Sequence, residues 1–150
     1  MPREKSVGAI IFKKELGKIY YLLLHYHSGH WEFARGHGEE GEREIITARR
    51  EIEEETGLKN LKIIPGFREY SKFFFRRTYN LPEAEKKKAP WIFKLVVLYL
   101  AESKTSDVKI SHEHKGYAWL PYEEAHKKLM KNAKGVLEKA NNFIAKNRKL

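Results

Sequence analysis

The chain has 150 residues, no cysteine and a formal net charge of +10. Its length suits one domain, predicted over residues 1–150, and the lack of cysteine excludes disulfides and thiolate zinc sites. A cysteine-free chain fits the reducing cytoplasm, which is the predicted location. The longest apolar stretch after the N-terminal strand, Leu95 to Ala101, cannot span a bilayer, so no membrane partner is expected. The sequence favours no particular oligomeric state.

Strand patterns dominate the first half of the chain. Ser6 to Phe12 and Ile19 to His25 are apolar runs that predict two strands, with a turn over Lys13 to Lys18 between them. Thr47 to Glu55 is predicted to be part of a helix whose apolar residues, Ile45, Ile46, Ala48 and Ile52, can face the core. Leu61 to Phe75 predicts one or two strands around a Pro-Gly pair.

The second half begins with a polar connection, Thr78 to Pro90, which we predict to be a loop. Apolar patterns after it predict three strands and then two helices: Trp91–Glu102, Val108–Ile110, Tyr117–Leu120, Tyr122–Met130 after Pro121, and Ala133–Lys146. Because strands and helices do not alternate regularly, the expected fold is an α+β sandwich with a sheet between helices.

The segment from Gly36 to Leu58 carries the main chemical signal. It fits the spacing G-x5-E-x7-R-E-U-x-E-E-x-G-U, where U is a bulky aliphatic residue. Glu51, Glu54 and Glu55 stand at i, i+3 and i+4, so a helix places their carboxylates side by side. They precede a stop at Gly57, where the helix dipole disfavours negative charge. A divalent cation would neutralise such a cluster, and oxygen ligands suit Mg²⁺ or Mn²⁺.

The alternative is a solvated acidic face, which is common in chains rich in lysine and glutamate. That alternative does not explain the glycine loop, Gly36 to Gly41, which lies at a fixed distance before the helix. It also does not explain Arg50, which stands four residues before Glu54 and can reach it. We therefore favour a catalytic metal site.

The whole pattern resembles the signature box of the Nudix hydrolases. The resemblance implies an enzyme that uses a divalent metal ion and water to cleave nucleoside diphosphates linked to another group. It also implies an α/β/α sandwich around a mixed sheet. In this chain Glu42 matches a glutamate that mainly steadies the loop of the box.

The resemblance also implies roles for the box residues. Glu54 and Glu55 match metal ligands, and Glu51 matches a residue that binds metal or acts as the base. Gly36 matches a glycine whose main-chain carbonyl faces the metal, and Arg50 matches an arginine that orients the carboxylates.

Three flanking stretches, His30–His37, Lys94–Glu102 and Ser111–Leu120, resemble the asymmetric diadenosine tetraphosphate hydrolases, a branch of the same superfamily. The resemblance implies cleavage of diadenosine tetraphosphate to ATP and AMP. It implies further site residues: Glu113 as metal ligand or accessory base, His30, Arg35 and Lys94 near the phosphates, and Tyr117 stacked on adenine. The chain has Ala34-Arg35 where the family often has Pro-Lys, which keeps the charge but changes its geometry.

Several alternatives stay open at this point. The base can be Glu51 or Glu113. The substrate can instead be the 5′ end of RNA or a nucleoside triphosphate, since a charge of +10 attracts any polyanion but also serves solubility. A nonhydrolytic nucleotide-binding module is a further alternative. The clustered histidines favour surface or phosphate contacts over a structural zinc site.

Overall fold

The computed structural model describes residues 1–147, and within them the chain forms seven strands and four helices. The strands are β1 (Arg3–Glu15), β2 (Lys18–Tyr26), β3 (Trp31–Glu32), β4 (Arg35–His37), β5 (Lys62–Phe75), β6 (Ile92–Glu102) and β7 (His114–Leu120). The helices are α1 (Glu44–Thr56), α2 (Glu83–Lys86), α3 (Tyr122–Lys128) and α4 (Lys131–Lys146). Residues 148–150 of the predicted domain lie outside the described part. None of the four helices combines the length and apolar character needed to cross a membrane.

The strands form one mixed sheet. Its order is β3-β2-β1-β6-β5, while β4 also pairs with β1 and β7 also pairs with β2. β1 runs parallel to β6 and antiparallel to β2 and β4. β1 is therefore the centre of the sheet, and it places the short strand β4 beside the first residues of the chain.

Each face of the sheet is covered by helix, as the predicted α/β/α sandwich requires. Alternate residues of β1 divide between two cores: Ile10 packs under α3 and α4, whereas Ile11 packs with Ile52 of α1. This follows from the two-residue period of a strand. The apolar stripe of α4, including Leu137 and Ala140, lies wholly in the first core.

The predicted strand Val108–Ile110 is wrong. This segment is extended and its apolar side chains pack on the core under α1, but its backbone has no strand partner. The Lys109 N–H instead donates to the Thr56 carbonyl at 2.8 Å, and the Ser111 N–H donates to the Glu55 carbonyl at 3.3 Å. The segment thus satisfies carbonyls that the end of α1 leaves unpaired.

Other element boundaries also differ from the predictions. The polar connection contains the short helix α2, and β3 and β4 were not predicted because they are only two and three residues long. The helix after Pro121 ends at Lys128 and not at Met130, because Leu129 turns extended and bridges to Trp31. α4 accordingly begins two residues before the predicted Ala133.

Replacing Leu137 by alanine tests the core under α4, because its side chain is fully buried there. We expect Leu137→Ala to lower the free energy of unfolding by about 2–5 kcal/mol. Leu16→Ala is the matched control: this leucine is 98% exposed at the β1–β2 turn, so its loss should change stability by less than about 0.5 kcal/mol. Urea denaturation of the two variants measures both values, and equal effects would contradict the packing described.

Candidate metal and phosphate site

The C-terminal half of α1 faces an open pocket of about 400 Å³. The opposite wall comes from β4 and the start of β1, and the loop before β7 closes one side. Charged and polar side chains make up most of the lining: Ser6, Tyr26, Glu32, Arg35, Gly36, His37, Glu51, Glu54, Glu55, Lys94 and Glu113. The carboxylates of α1 (Glu51, Glu54 and Glu55) lie on one side of the pocket. The cationic side chains of Arg35 on β4 and Lys94 on β6 lie on the other side.

Glu51 lies directly against the backbone of Gly36. A Cβ atom built on Gly36 would be 1.9 Å from the Glu51 Oε2, so any side chain at this position would displace the carboxylate. Glycine here is therefore required for the close approach of helix and strand. Burial raises the pKa of Glu51 despite its bond to Arg50, and the nearby charges of Glu54 and Glu113 add to the effect.

Glu55 is the most enclosed carboxylate of the cluster, with 6% of its surface exposed. It accepts the main-chain N–H of Arg35 at 3.1 Å. Burial raises the pKa of Glu55 to about 8, and the negative charges of Glu51 and Glu113 act in the same direction. The hydrogen bond and positive charge of Arg35 therefore do not fully offset the cost of burying a negative charge on Glu55.

Arg50 connects the glycine loop to the helix. Its guanidinium donates to both carboxylate oxygens of Glu42 at 2.9 Å and to the His37 carbonyl at 3.0 Å. It also contacts Glu51 at 2.9 Å and Glu54 at 3.2 Å. These bonds hold the pKa of Glu42 down at about 2. A planar guanidinium suits this arrangement because it has five donors in fixed directions.

Two cations face the carboxylates across the pocket. Lys94 is buried and donates to the Ser6 Oγ at 2.6 Å; burial, with the charge of Arg35, lowers its pKa to about 8. Arg35 pairs with Glu32 at 2.5 Å. Burial acts to raise the pKa of Glu32, but bonds and charges from His30 and Arg35 outweigh it and keep that pKa low.

His114 lies behind the carboxylates at the start of β7. Its side chain is buried, its Nδ1 is 3.3 Å from the Ser111 Oγ, and its ring meets the Tyr26 ring edge-on at 4.5 Å. Ligand atoms of Glu55, Glu113 and His114 all lie within 4.8 Å of one another. Burial lowers the pKa of His114, which favours the neutral imidazole.

These donors fit a divalent cation. Ionised Glu55 and Glu51 are poorly compensated by the surrounding protein, as their raised pKa values indicate. Carboxylate and carbonyl oxygens, which this wall supplies, are the ligands that Mg²⁺ and Mn²⁺ prefer. A cation between α1 and the loop before β7 would therefore neutralise the cluster.

Most predicted site residues come together here. Gly36, Glu51, Glu54, Glu55, Glu113, Arg35 and Lys94 line the pocket, and Arg50 braces its edge. His30 is not part of the pocket lining but contacts two residues that are. Its ring stacks on Tyr26 at 4.8 Å, and its Nε2 lies 3.5 Å from the Glu32 carboxylate. Tyr117 lies on β7, 40% exposed, and is not part of the pocket wall.

Five residues near the cluster were not predicted as site residues: Ser6, Tyr26, Glu32, His37 and His114. Ser6 lies inside a predicted strand and Tyr26 directly follows one, and such patterns indicate packing only. The pairing of Glu32 with Arg35 joins two short strands and is not a helical i, i+3 pair, so the sequence has no signal for it. The buried state of His114 has no signal in the sequence, since the exposed His112 stands two residues away.

Comparison with known proteins agrees with this geometry. Residues 2–140 match the family model described as NUDIX domain. An asymmetrical bis(5′-nucleosyl)-tetraphosphatase from Sus scrofa is 35% identical over 153 aligned residues, covering 93% of this chain and 95% of the relative. An RNA pyrophosphohydrolase from Bartonella bacilliformis is 33% identical over 72 residues, covering 43% of this chain and 42% of the relative.

A solved structure of the C. elegans Ap4A hydrolase, in a binary complex, has the same fold as this chain. It superposes with a TM-score of 0.78 at 30% identity, covering 95% of this chain and 98% of that one. Sequence match and superposition both extend over nearly the whole length, including the glycine loop and the acidic helix. The chain belongs to the Nudix family.

Proposed function

We propose that this protein is a divalent-metal-dependent hydrolase that cleaves dinucleoside polyphosphates, with diadenosine tetraphosphate giving ATP and AMP. The observation that carries the proposal is the 35% identity, over 93% of the chain, to an asymmetrical bis(5′-nucleosyl)-tetraphosphatase. The pocket supports it with facing carboxylates and cations. Phosphoanhydride cleavage needs this combination, because charge develops on the phosphate oxygens while a water is aimed in line.

Glu51, Glu54 and Glu55, with the main-chain carbonyl of Gly36, would hold Mg²⁺ or Mn²⁺, and Glu113 would add a further oxygen. A bound divalent cation supplies positive charge to the phosphate oxygens and eases deprotonation of the attacking water. Arg50 holds Glu51 and Glu54 in place for this purpose.

Proton removal falls to a carboxylate of the cluster, with Glu51 and Glu113 as the two candidates. Glu51 has the support of a raised pKa, which brings its basicity closer to neutral pH. Glu113 is exposed on the loop before β7, so water reaches it freely. The choice between them stays part of the proposal.

Lys94 and Arg35 would bind the phosphate chain from the opposite wall. His30 would act at the rim of the pocket, since Tyr26 and Glu32 separate it from the carboxylates. Tyr117 offers an exposed ring for stacking a nucleobase on the neighbouring strand surface. The exposed ring of Trp91 is less suitable for stacking, because it already lies under the Arg76 guanidinium at 4.5 Å.

RNA with a 5′-polyphosphate is a second candidate substrate. The 72-residue match to an RNA pyrophosphohydrolase and the net charge of +10 favour it. That match spans less than half of either chain, which ranks it below the dinucleotide. We also propose that residues 1–150 act as a single domain, supported by the family match over residues 2–140, and that it works in the cytoplasm, supported by the absence of cysteine.

A substrate panel tests the proposal. Diadenosine tetraphosphate, 5′-triphosphorylated RNA and nucleoside triphosphates are each incubated with the protein and Mg²⁺ in oxygen-18 water. We expect the dinucleotide to have the highest kcat/KM and to give ATP and AMP, with label in one product. Faster release of pyrophosphate from RNA would favour the second candidate. Binding without metal-dependent turnover of any substrate would indicate a nonhydrolytic module and defeat the proposal.

Glu55→Gln should lower kcat/KM by about 100-fold or more, because it removes a charged oxygen from the cation site without changing side-chain size. Glu53→Gln is the matched control on the same helix, since Glu53 is exposed and its carboxylate pairs with Lys59 at 3.7 Å. Steady-state kinetics at saturating Mg²⁺ compares the two. Parental activity in Glu55→Gln would rule out the proposed metal role of Glu55.

The effect of Mg²⁺ on thermal stability should increase with pH. The pKa of Glu55 is about 8 in the folded state against 4.5 for an ordinary glutamate, so its contribution to metal-free stability is full below about pH 4.5 and is lost as pH rises through 8. Mg²⁺ binds the ionised form and reverses that loss. We expect the Mg²⁺-induced rise in Tm to be larger at about pH 8.5 than at about pH 5.5, with roughly 2–4 °C for each kcal/mol of coupling.

Glu55→Gln removes the titrating group and should reduce this pH dependence, whereas Glu53→Gln should retain it. Calorimetry with and without Mg²⁺ measures the difference. A rise in Tm that is independent of pH in the parent protein would contradict the link between Glu55 ionisation and metal binding.

A further inference from the structure

One polar atom beside the acidic cluster has no hydrogen-bond partner. The Nε2 of His114 is buried, and among residues 1–147 nothing donates to it or accepts from it. Leaving a buried polar atom without a partner is costly, so such atoms are rare in folded proteins and each calls for a physical explanation, such as a bound ion. The other ring nitrogen, Nδ1, does have a hydrogen-bond partner, because it lies 3.3 Å from the Ser111 Oγ.

The residue that carries this atom belongs to a group with the spacing of a metal site. Glu55, Glu113 and His114 each offer a ligand atom, and these atoms lie within 4.8 Å of one another. The three come from two separate elements, so the spacing is a result of the fold and not of sequence neighbours alone. The Ser111 N–H, which bonds to the Glu55 carbonyl at 3.3 Å, fixes the two elements together.

We propose that His114 is a nitrogen ligand of the bound cation, which makes the site a mixed oxygen and nitrogen donor set. This inference rests on the proposed metal role of Glu55 and Glu113. Imidazole suits transition-metal ions, most of all later ones such as Co²⁺, better than it suits Mg²⁺; Mn²⁺ prefers oxygen but also accepts imidazole nitrogen. The proposed set therefore shifts the preference of the site towards Mn²⁺ and Co²⁺ relative to carboxylates alone.

Ser111 would select the tautomer that this role needs. A histidine that binds metal usually donates its second ring N–H to an oxygen, which directs the lone pair of the other nitrogen at the ion. The Ser111 Oγ accepts the Glu113 N–H at 3.3 Å and has a second lone pair for the His114 Nδ1–H. Tyr26 limits rotation of the imidazole, because its ring meets the edge of His114 at 4.5 Å.

Pulsed electron paramagnetic resonance of bound Mn²⁺ tests the proposal on the parent protein directly. A coordinated imidazole gives a nitrogen-14 hyperfine coupling that carboxylate and water ligands do not give. We expect this coupling in the parent protein and its loss in His114→Asn. His112→Asn is the matched control, since His112 is exposed in the loop just before β7, and it should keep the signal.

Metal affinity gives a second readout that does not depend on turnover. We expect His114→Asn to weaken Mn²⁺ and Co²⁺ binding by about tenfold or more, and Mg²⁺ binding by much less. Calorimetric titration of each ion into parent, His114→Asn and His112→Asn proteins measures the ratio. Equal losses for all three ions would show that His114 supports the site only through packing, and would overturn its role as a ligand.

Failure of this inference is distinguishable from failure of the proposed function. Mn²⁺ bound without nitrogen coupling in the parent protein, and weakened by Glu55→Gln, would overturn the role of His114 while leaving the carboxylate site intact. Mn²⁺ binding that is insensitive to Glu55→Gln would remove the basis of both.

Discussion

The acidic end of α1 is packed against the bare backbone of β4, and this contact determines the geometry of the pocket. Gly36 has no side chain, so Glu51 reaches the strand, and the Arg35 N–H holds Glu55. Close packing excludes the water that would otherwise solvate both carboxylates. The result is a concentration of negative charge in a partly dry site, which is costly for stability and well suited to binding a cation.

A second contact brings a distant part of the chain to the same place. The last carbonyls of α1 accept N–H groups from Lys109 and Ser111, and Gly57 leaves room for the Lys109 side chain, which would be 3.3 Å from a Cβ at that position. The loop that carries Glu113 and leads into His114 of β7 is therefore fixed to the end of the helix. The hydrogen bonds that end α1 are thus the same bonds that bring Glu113 to the carboxylates of the helix.

Much of this could be predicted from the sequence. Helical spacing alone places Glu51, Glu54 and Glu55 on one face, and the family spacing identifies the glycine loop before them. Regular patterns also predict the long strands and both long helices of the sandwich. These features depend on local periodicity, which a single sequence displays directly.

Other features depend on contacts between distant segments and have no local pattern. Val108 to Ile110 looks like a strand because its apolar residues alternate, yet its backbone bonds to a helix end. The position of Tyr117 outside the pocket wall follows from the pairing of β7 with β2, which its motif does not reveal. Whether a histidine is exposed like His112 or enclosed like His114 is decided by the same long-range packing.

The hydrogen bonds of Arg50 affect the rate at which the site can bind a metal ion. They join the loop after β4 to α1 through protein groups, and no ion takes part in these contacts. An arriving ion then needs no folding of the loop around it. The slowest event becomes the loss of the ion's own hydration shell, which Mg²⁺ gives up reluctantly, so rates of capture should follow the water-exchange rates of the metals.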